Sequence, residues 1–217
     1  MITVWGEGRG FRVVWLLEEM GLPYRLRPVD LIKGAEHDPE FLAMNPSGFI
    51  PVLQDGDTTM VESIAIMEYL MARHGPTPLA PHPGHAAFGA YLQFLHLGEA
   101  GLAMPMFIVT VSRILAPEAE KDNWSARQAM DIYASRLKLV TRQLENHPYM
   151  AGDQFTAADI SVTYALEFAY RITDYAFGES ERAYIARTTA RPGYKRAMDT
   201  CAATKAWAAS IAEQRAR

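Results

Sequence analysis

The first 74 residues alternate between short apolar runs and helical periodicity. Residues 2–5 form an apolar run that ends in a glycine-rich loop, which is typical of a buried strand entering a turn. Over residues 11–20 large apolar side chains recur at helical spacing until Gly21 and Pro23 stop the helix. Residues 24–29 alternate as a second strand, so the pattern predicts a right-handed parallel strand–helix–strand unit.

The rest of this segment predicts a short helix, a hairpin and a longer helix. Residues 39–45 are expected to be helical, and residues 52–54 and 59–61 flank an Asp-Gly-Asp sequence that is typical of a tight hairpin turn. Residues 62–74 repeat apolar side chains as a helix does. The predicted order is therefore βαβαββα.

Beyond residue 75 the pattern becomes helical almost throughout. Prolines between residues 76 and 85 mark a linker, because proline cannot continue a helix. Pro105 is expected to kink or split the first helix that follows. Helices are predicted near residues 86–115, 123–146, 156–177, 180–187 and 192–208. We therefore expect one domain over residues 1–75, a linker over 76–85 and an all-helical domain over 86–217.

One helix start in the second half carries a recognisable folding signal. Thr156 is suited to cap a helix, and Asp159 follows it at the spacing from which an acid reaches back to the cap N–H. We assign this pair to folding and not to chemistry.

Composition removes several classes of function. The net charge of −4 and the pI of about 5.9 provide no basic surface, which argues against nucleic acid as a partner. The single cysteine, Cys201, cannot form an internal disulfide, so a reducing compartment is expected. We find no signal peptide and no run of about 20 apolar residues, so we expect a cytoplasmic protein without a membrane partner. The histidines show no metal-ligand spacing apart from His82-x-x-His85 in the proline-rich linker, and we predict no metal.

The Ile50-Pro51 sequence is the first candidate for a binding site. An Ile-Pro bond at the start of a strand is a candidate cis peptide, since the residue before proline is driven to extended geometry. Such a bend is expected to leave the backbone of Val52 unpaired at a sheet edge. A peptide-like ligand would then pair with Val52 as an added strand.

The second candidate is the start of the helix predicted from residue 62. A helix N-terminus favours a carboxylate, and Ser63 adds a hydroxyl donor there. Glu62 would accept an ammonium group, so the pair suits an amino-acid head group that carries both charges. The alternative is a plain N-cap with an acid beside it.

These segments together resemble the cytosolic glutathione transferase superfamily. The similarity rests on residues 45–53 (NPSGFIPVL) and 61–66 (VESIAI), and it extends through residues 15–24, 155–161 and 191–194. The resemblance implies an α+β/α fold, with an N-terminal thioredoxin-like βαβαββα domain and a C-terminal all-helical domain. It also implies a homodimer that uses glutathione as co-substrate and needs no metal.

The resemblance also implies which residues hold glutathione. The family's glutathione-binding positions correspond here to Ile50, Pro51, Val52, Glu62 and Ser63. Many relatives have a polar side chain where this chain has Phe49. That leaves His37 and Lys33 as candidates for the glycine carboxylate of glutathione.

The largest departure from the family lies in the loop after the first strand. Relatives usually place a Tyr, Ser or Cys there, facing the glutathione sulfur, whereas residues 6–11 read Gly-Glu-Gly-Arg-Gly-Phe. We predict that Arg9 and the backbone N–H groups of the helix that begins near Gly10 stabilise the thiolate instead. The alternative is that Arg9 is a solvated loop charge.

The resemblance predicts a transferase that moves the glutathione thiolate onto a small hydrophobic electrophile. The electrophile pocket is expected between the domains and would be lined by Tyr91, Met104, Met106, Phe107 and Val111. The alternative is a non-catalytic glutathione-binding or ligand-carrier protein, because the usual hydroxyl or thiol is missing. A third interpretation is a dinucleotide-binding protein, from the glycine spacing in residues 6–10. The segment offers too few parallel strands for that fold.

Overall fold

A computed structural model describes residues 1–29 and 38–215 of the chain. Contacts divide the chain into two compact units. The first comprises Met1–Thr77 and Ala190–Arg217, and the second comprises Pro78–Thr189.

The first unit is built on a mixed sheet, which among the described residues has four strands in the order β2-β1-β3-β4. The strands are β1 (Ile2–Trp5), β2 (Tyr24–Arg27), β3 (Val52–Asp55) and β4 (Thr58–Val61). β1 pairs in parallel with β2 and antiparallel with β3, and β3 pairs antiparallel with β4. The predicted parallel crossover and the predicted hairpin are both confirmed.

Three helices complete the βαβαββα order of this unit. They are α1 (Gly10–Met20), α2 (Pro39–Met44) and α3 (Ser63–His74). α1 ends at Gly21, whose φ of 66° is left-handed and whose N–H donates to the carbonyl of Leu17. β2 is shorter than predicted because Pro28 has no N–H to continue the ladder.

The C-terminal helices α9 (Pro192–Thr200) and α10 (Ala202–Arg215) belong to the first unit by their contacts. Arg191 donates two hydrogen bonds to the carboxylate of Glu19 in α1, at 2.9 and 2.7 Å. The ring of Tyr194 packs edge-on against Trp15, with the ring centres 5.0 Å apart. A paired charge and an aromatic contact therefore join two motifs that lie far apart in the sequence.

The second unit begins with a continuous helical stretch over residues 88–115. It consists of α4 (Phe88–His96), a π-helical segment (Leu97–Ala103), α5 (Met104–Thr110) and a second π-helical segment (Val111–Leu115). Pro105 does not split this stretch. Instead the turn before it widens, so that the N–H of Met104 donates to the carbonyl of Glu99, five residues back. Since proline lacks an N–H, a wider turn accommodates it where a regular turn would lose a hydrogen bond.

The same stretch changes one expectation drawn from the sequence. Its 28 residues are long and apolar enough to cross a membrane by length and composition, with a mean hydropathy of 1.5 over the most apolar window. Half of that window is buried inside the protein. A core helix of a soluble protein has the same properties, because burial in protein and burial in lipid select similar side chains.

The second unit continues with α6 (Trp124–Leu144), α7 (Ala157–Thr173) and α8 (Glu179–Thr189). The capping box predicted at the start of α7 is confirmed. The N–H of Thr156 donates to Asp159 Oδ2 at 2.8 Å, while Met150 N–H and the Tyr184 hydroxyl donate to Oδ1 at 2.8 and 3.0 Å. Asp159 is completely buried, and loss of hydration raises the pKa of its carboxyl to about 6.

Candidate functional site

The glycine-rich loop after β1 lies directly on the Ile50-Pro51 bend. Gly6 has a left-handed φ of 84°, and a Cβ added there would lie 2.3 Å from the Ile50 side chain. A Cβ added at Gly10 would lie 3.3 Å from Pro51. The Ile50-Pro51 peptide bond is cis. The glycines therefore allow the loop to approach the bend more closely than other residues would.

The expectation that Val52 lies at a sheet edge is wrong. β3 is an inner strand between β1 and β4, and Val52 pairs with Trp5 on one side and with Val61 on the other. Its side chain is buried. Strand order depends on tertiary pairing, which the local sequence around the bend does not encode. Val52 is still the first residue of its strand, so it lies at the end of the ladder that meets the bend.

The start of α3 is strained and has no side-chain cap. Glu62 occupies the N-cap with a φ of 70° and a ψ of 102°, and its side chain makes no capping hydrogen bond. A residue other than glycine at these backbone angles has a conformational energy that is higher by about 1–3 kcal/mol. Such strain is concentrated at functional sites. The Glu62 side chain is exposed, whereas Ser63, the first helical residue, is only 3% exposed. An acid therefore faces solvent next to a sheltered hydroxyl.

Arg12 is a residue that sequence reasoning missed. It lies in α1 and is completely buried, and its Nη2 donates to Ser63 Oγ at 2.8 Å. No role in the site was predicted for this arginine from the sequence. Its spacing was a usable signal, because Trp15 and Leu16 follow it at three and four residues and both are buried. An arginine on the apolar face of a helix indicates a specific partner.

The backbone N–H groups at the start of α1 are less available than expected. The N–H of Gly10 donates to the carbonyl of Glu7 at 2.9 Å, and the N–H of Phe11 donates to the carbonyl of Gly8 at 3.0 Å. Both donors are thus used inside the loop. Arg9 is the N-cap residue of α1 and is partly exposed. Of the two predicted sources of positive charge, the Arg9 side chain is therefore partly exposed, and the two backbone N–H groups are already bonded.

The same loop is tied to the C-terminal helix through Glu7. Its carboxylate accepts the N–H of Thr204 at 2.7 Å and that of Ala203 at 3.3 Å. These groups belong to the first turn of α10, so Glu7 caps that helix from a position almost 200 residues away. No local sequence signal indicates this contact.

The predicted electrophile-contacting residues differ in exposure. Met104 and Val111 are exposed and Phe107 is partly exposed, but Tyr91 and Met106 are buried. Ile108, which the sequence analysis did not select, is 40% exposed. It follows Met104 by four residues and precedes Val111 by three, so the three side chains share one helix face. Helical spacing is the signal that would have identified it.

The remaining sequence-based candidates are the residues for the glycine carboxylate, the linker histidines and the dinucleotide-binding fold. His37 and Lys33 lie outside the described residues. His82 and His85 each accept a backbone N–H at Nδ1, from Gly84 and Ala87, at 3.1 Å. The described strands contain one parallel pair, β1 with β2, which does not match the run of parallel strands in a dinucleotide-binding domain.

Two family models match the chain. Residues 2–72 match the family described as glutathione S-transferase, N-terminal domain. Residues 102–204 match the family described as glutathione S-transferase, C-terminal domain.

Individual proteins support the same relationship. Glutathione S-transferase 3 of Zea mays is 36% identical over 157 residues, which cover 68% of each chain. Glutathione S-transferase F10 of Arabidopsis thaliana is 31% identical over 80% of this chain and 79% of its own length. The theta class glutathione S-transferase of Xanthomonas axonopodis pv. citri, solved with glutathione bound, superposes with a TM-score of 0.78 at 27% identity. That superposition covers 90% of this chain and 96% of the other.

Proposed function

This chain belongs to the glutathione S-transferase family, and we propose that it transfers the thiolate of glutathione to a small hydrophobic electrophile. The observation that carries the proposal is the arrangement around the first turn of α1. Gly10 lies against Pro51, and Arg12 in the same turn donates to Ser63. The two segments expected to hold glutathione therefore adjoin one helical turn.

The γ-glutamyl end of glutathione binds at the start of α3 in this proposal. Its carboxylate accepts hydrogen bonds from Ser63 and from the uncapped N–H groups of the helix, where the partial positive charge favours an anion. Its ammonium group pairs with the exposed carboxylate of Glu62. The cysteinyl part of glutathione lies beside the Ile50-Pro51 bend, so the thiol is directed toward the glycine-rich loop that rests on Ile50 and Pro51.

The chemical step needs a thiolate. A free thiol has a pKa of about 8.5, and each unit of depression corresponds to about 1.4 kcal/mol. Arg9 supplies positive charge at the loop, and the dipole of α1 adds to it although the N–H groups of Gly10 and Phe11 are bonded within the loop. The thiolate attacks an electrophilic carbon and forms a carbon–sulfur bond, and the leaving group departs with its electron pair. The proton of the thiol passes to solvent.

The hydrophobic electrophile contacts the exposed face of the helical stretch over residues 88–115. Met104, Ile108 and Val111 form this face, with Phe107 beside it. Flexible methionine and branched aliphatic side chains suit small apolar substrates of varied shape. Tyr91 and Met106 are buried and do not belong to this face.

Calorimetry with glutathione and a conjugation assay with an aryl halide test the proposal together. We expect binding of glutathione and turnover of the halide by the wild-type protein. Arg9→Ala should lower kcat at least ~10-fold with little change in glutathione affinity, because the charge acts on the developing thiolate. Arg25→Ala, which removes an exposed arginine from β2, is the matched control and should behave as wild type. Equal turnover in the Arg9 variant would remove that residue from the mechanism.

A non-catalytic glutathione-binding or ligand-carrier protein is the second candidate. It is favoured by one specific observation, the absence of a Tyr, Ser or Cys side chain in residues 6–10. Binding of glutathione without turnover on a broad panel of electrophiles would establish it in place of the transferase.

We also propose a cytoplasmic homodimer. The exposed apolar side chains of α6, Trp124, Ile132 and Leu139, recur at seven- and eight-residue spacing along one face, which suits contact with a second copy. Sedimentation equilibrium tests for the dimer, and we expect Ile132→Asp to shift the measured mass from that of a dimer to that of a monomer.

A further inference from the structure

Arg12 is buried below the N-terminus of α3, and its chemistry suits a role beyond packing. A guanidinium keeps its charge at every accessible pH, and removing it from water is unfavourable. This one is fully buried in α1 and directs Nη2 at the Ser63 hydroxyl oxygen, 2.8 Å away. The permanently charged guanidinium of Arg12 is thus hydrogen-bonded to Ser63, the first residue of α3, a helix without a side-chain cap.

We propose that Arg12 is a positioning residue that makes Ser63 selective for the α-carboxylate of the γ-glutamyl group. This rests on the proposed function, since it assumes that glutathione binds at α3. A serine hydroxyl has one proton to donate and two lone pairs to accept with. When Arg12 donates to one lone pair, it restricts rotation of the hydroxyl and leaves the proton of Ser63 for the ligand. A hydroxyl that accepts from a cation is also a stronger donor, so its preferred partner is an anion.

Glu62 and Arg12 then recognise opposite charges of one head group. Glu62 is exposed and accepts the ammonium, while the pair of Arg12 and Ser63 addresses the carboxylate from the protein interior. Two analogues separate the contributions. 4-Aminobutyryl-cysteinyl-glycine lacks only the α-carboxylate, and glutaryl-cysteinyl-glycine lacks only the amine.

The experiment measures dissociation constants by calorimetry for glutathione and both analogues. We expect the wild-type protein to bind the aminobutyryl analogue at least ~10-fold more weakly than glutathione, as for a lost hydrogen bond to a charged group. In Arg12→Met and in Ser63→Ala this ratio should approach one, whereas Arg12→Lys should keep part of it. Glu62→Gln is the matched control. It should reduce discrimination against the glutaryl analogue and retain discrimination against the aminobutyryl analogue.

A purely structural role for Arg12 gives a different result. Arg12→Met would then weaken glutathione and the aminobutyryl analogue by the same factor, and that outcome overturns the proposal. An unchanged ratio in Ser63→Ala overturns it as well. Failure of the wild-type protein to bind glutathione would instead contradict the proposed function itself.

A measurement on the wild-type protein covers the case in which Arg12 variants do not fold. In protein labelled with nitrogen-15 at arginine, the guanidinium resonance that Ser63→Ala perturbs identifies Arg12. We expect glutathione to shift this resonance and the aminobutyryl analogue to leave it in place. Equal shifts with both ligands would overturn the proposal.

Discussion

The N-termini of α3 and α7 are built from similar residue types and have opposite characters. At α7 the chain satisfies its own donors, because Thr156 and Asp159 form a reciprocal capping box inside the core. At α3 the N-cap residue Glu62 makes no capping bond, has a φ of 70° and exposes its carboxylate. A hydroxyl and an acid at a helix start therefore stabilise the fold when their side chains accept hydrogen bonds from the backbone N–H groups. When the acid faces solvent, the same groups are available to a ligand.

The two starts also differ in what they contribute to stability. Asp159 accepts hydrogen bonds from Met150, Thr156 and Tyr184, so its loss would leave several buried donors without an acceptor. Glu62 makes no capping hydrogen bond to the residues that the structure describes, and it occupies a backbone conformation that favours glycine. Substitutions at α7 should therefore lower the free energy of unfolding without changing ligand affinity, and substitutions at α3 should change ligand affinity without lowering the free energy of unfolding.

The largest effect is expected from Asp159→Ala. It should lower the free energy of unfolding by about 3 kcal/mol, because buried donors lose their acceptor. Urea unfolding followed by circular dichroism measures this. Glutathione affinity of the folded protein should stay at the wild-type value. Asp131→Ala, at an exposed position of α6, is the control and should change stability by less than about 0.5 kcal/mol. If Asp159→Ala and Asp131→Ala had similar free energies of unfolding, the start of α7 would not have the stabilising role that distinguishes it from the start of α3.

The pH dependence of the same residue should be the next largest effect on stability. Burial raises the pKa of Asp159 to about 6 in the folded protein, from 3.8 for a free side chain. The folded state therefore binds the proton more tightly. The resulting stabilisation is fully present below pH 3.8 and is lost as the pH rises through 6.

Asp159→Asn isolates this contribution, since asparagine does not titrate. Between pH 7 and pH 5 the wild-type protein should gain about 1 kcal/mol of unfolding free energy relative to the variant. Urea titrations at both pH values measure the difference. A constant difference would mean that the carboxyl titrates at the same pH in the folded and unfolded chain.

Glu62→Gly should stabilise the protein and weaken its ligand. Glycine relieves the strain at a φ of 70° but gives the unfolded chain more freedom, so a net gain of roughly 1 kcal/mol is expected. Glutathione affinity should fall about 10-fold, because the partner of the ammonium is lost. Thermal unfolding and calorimetry measure the two effects.

The control for this variant is Asp174→Gly, which also replaces a residue with positive φ, at the end of α7. It should leave glutathione affinity unchanged. A Glu62→Gly protein that is less stable than wild type would argue that the conformation of Glu62 is not strained.

The smallest effect is expected at the N-terminus of α10. This helix is capped, as α7 is, but the capping side chain is that of Glu7, which belongs to the loop proposed to face the thiol. Glu7→Gln removes the charge and keeps an acceptor, so stability should fall by about 0.5 kcal/mol. Hydrogen exchange at Ala203 and Thr204 should become faster. Glu145→Gln, at an exposed position, should leave these rates unchanged.

Local sequence patterns predicted most of the elements of this protein. The glycine after α1, the Asp-Gly-Asp hairpin turn and the Thr156–Asp159 capping box are each specified by residues within a few positions of one another. Their physical basis is local as well, since backbone freedom, steric restriction and short-range hydrogen bonds act between near neighbours. The candidate positions at residues 50–52 and 62–63 were found by the same kind of signal.

Tertiary structure decided the features that join distant residues. β3 became an inner strand, so the Val52 edge contact predicted from the bend was wrong. Arg12 donates a hydrogen bond to Ser63, which lies 51 positions away in the sequence. Glu7 accepts hydrogen bonds from the start of α10, which lies nearly 200 positions away. Helical spacing places Arg12 on the apolar face of α1 but does not specify its partner, and Glu7 alone is compatible with a solvated surface charge. Which charges are buried, and what they hold in place, depends on how the helices pack against the sheet and against one another.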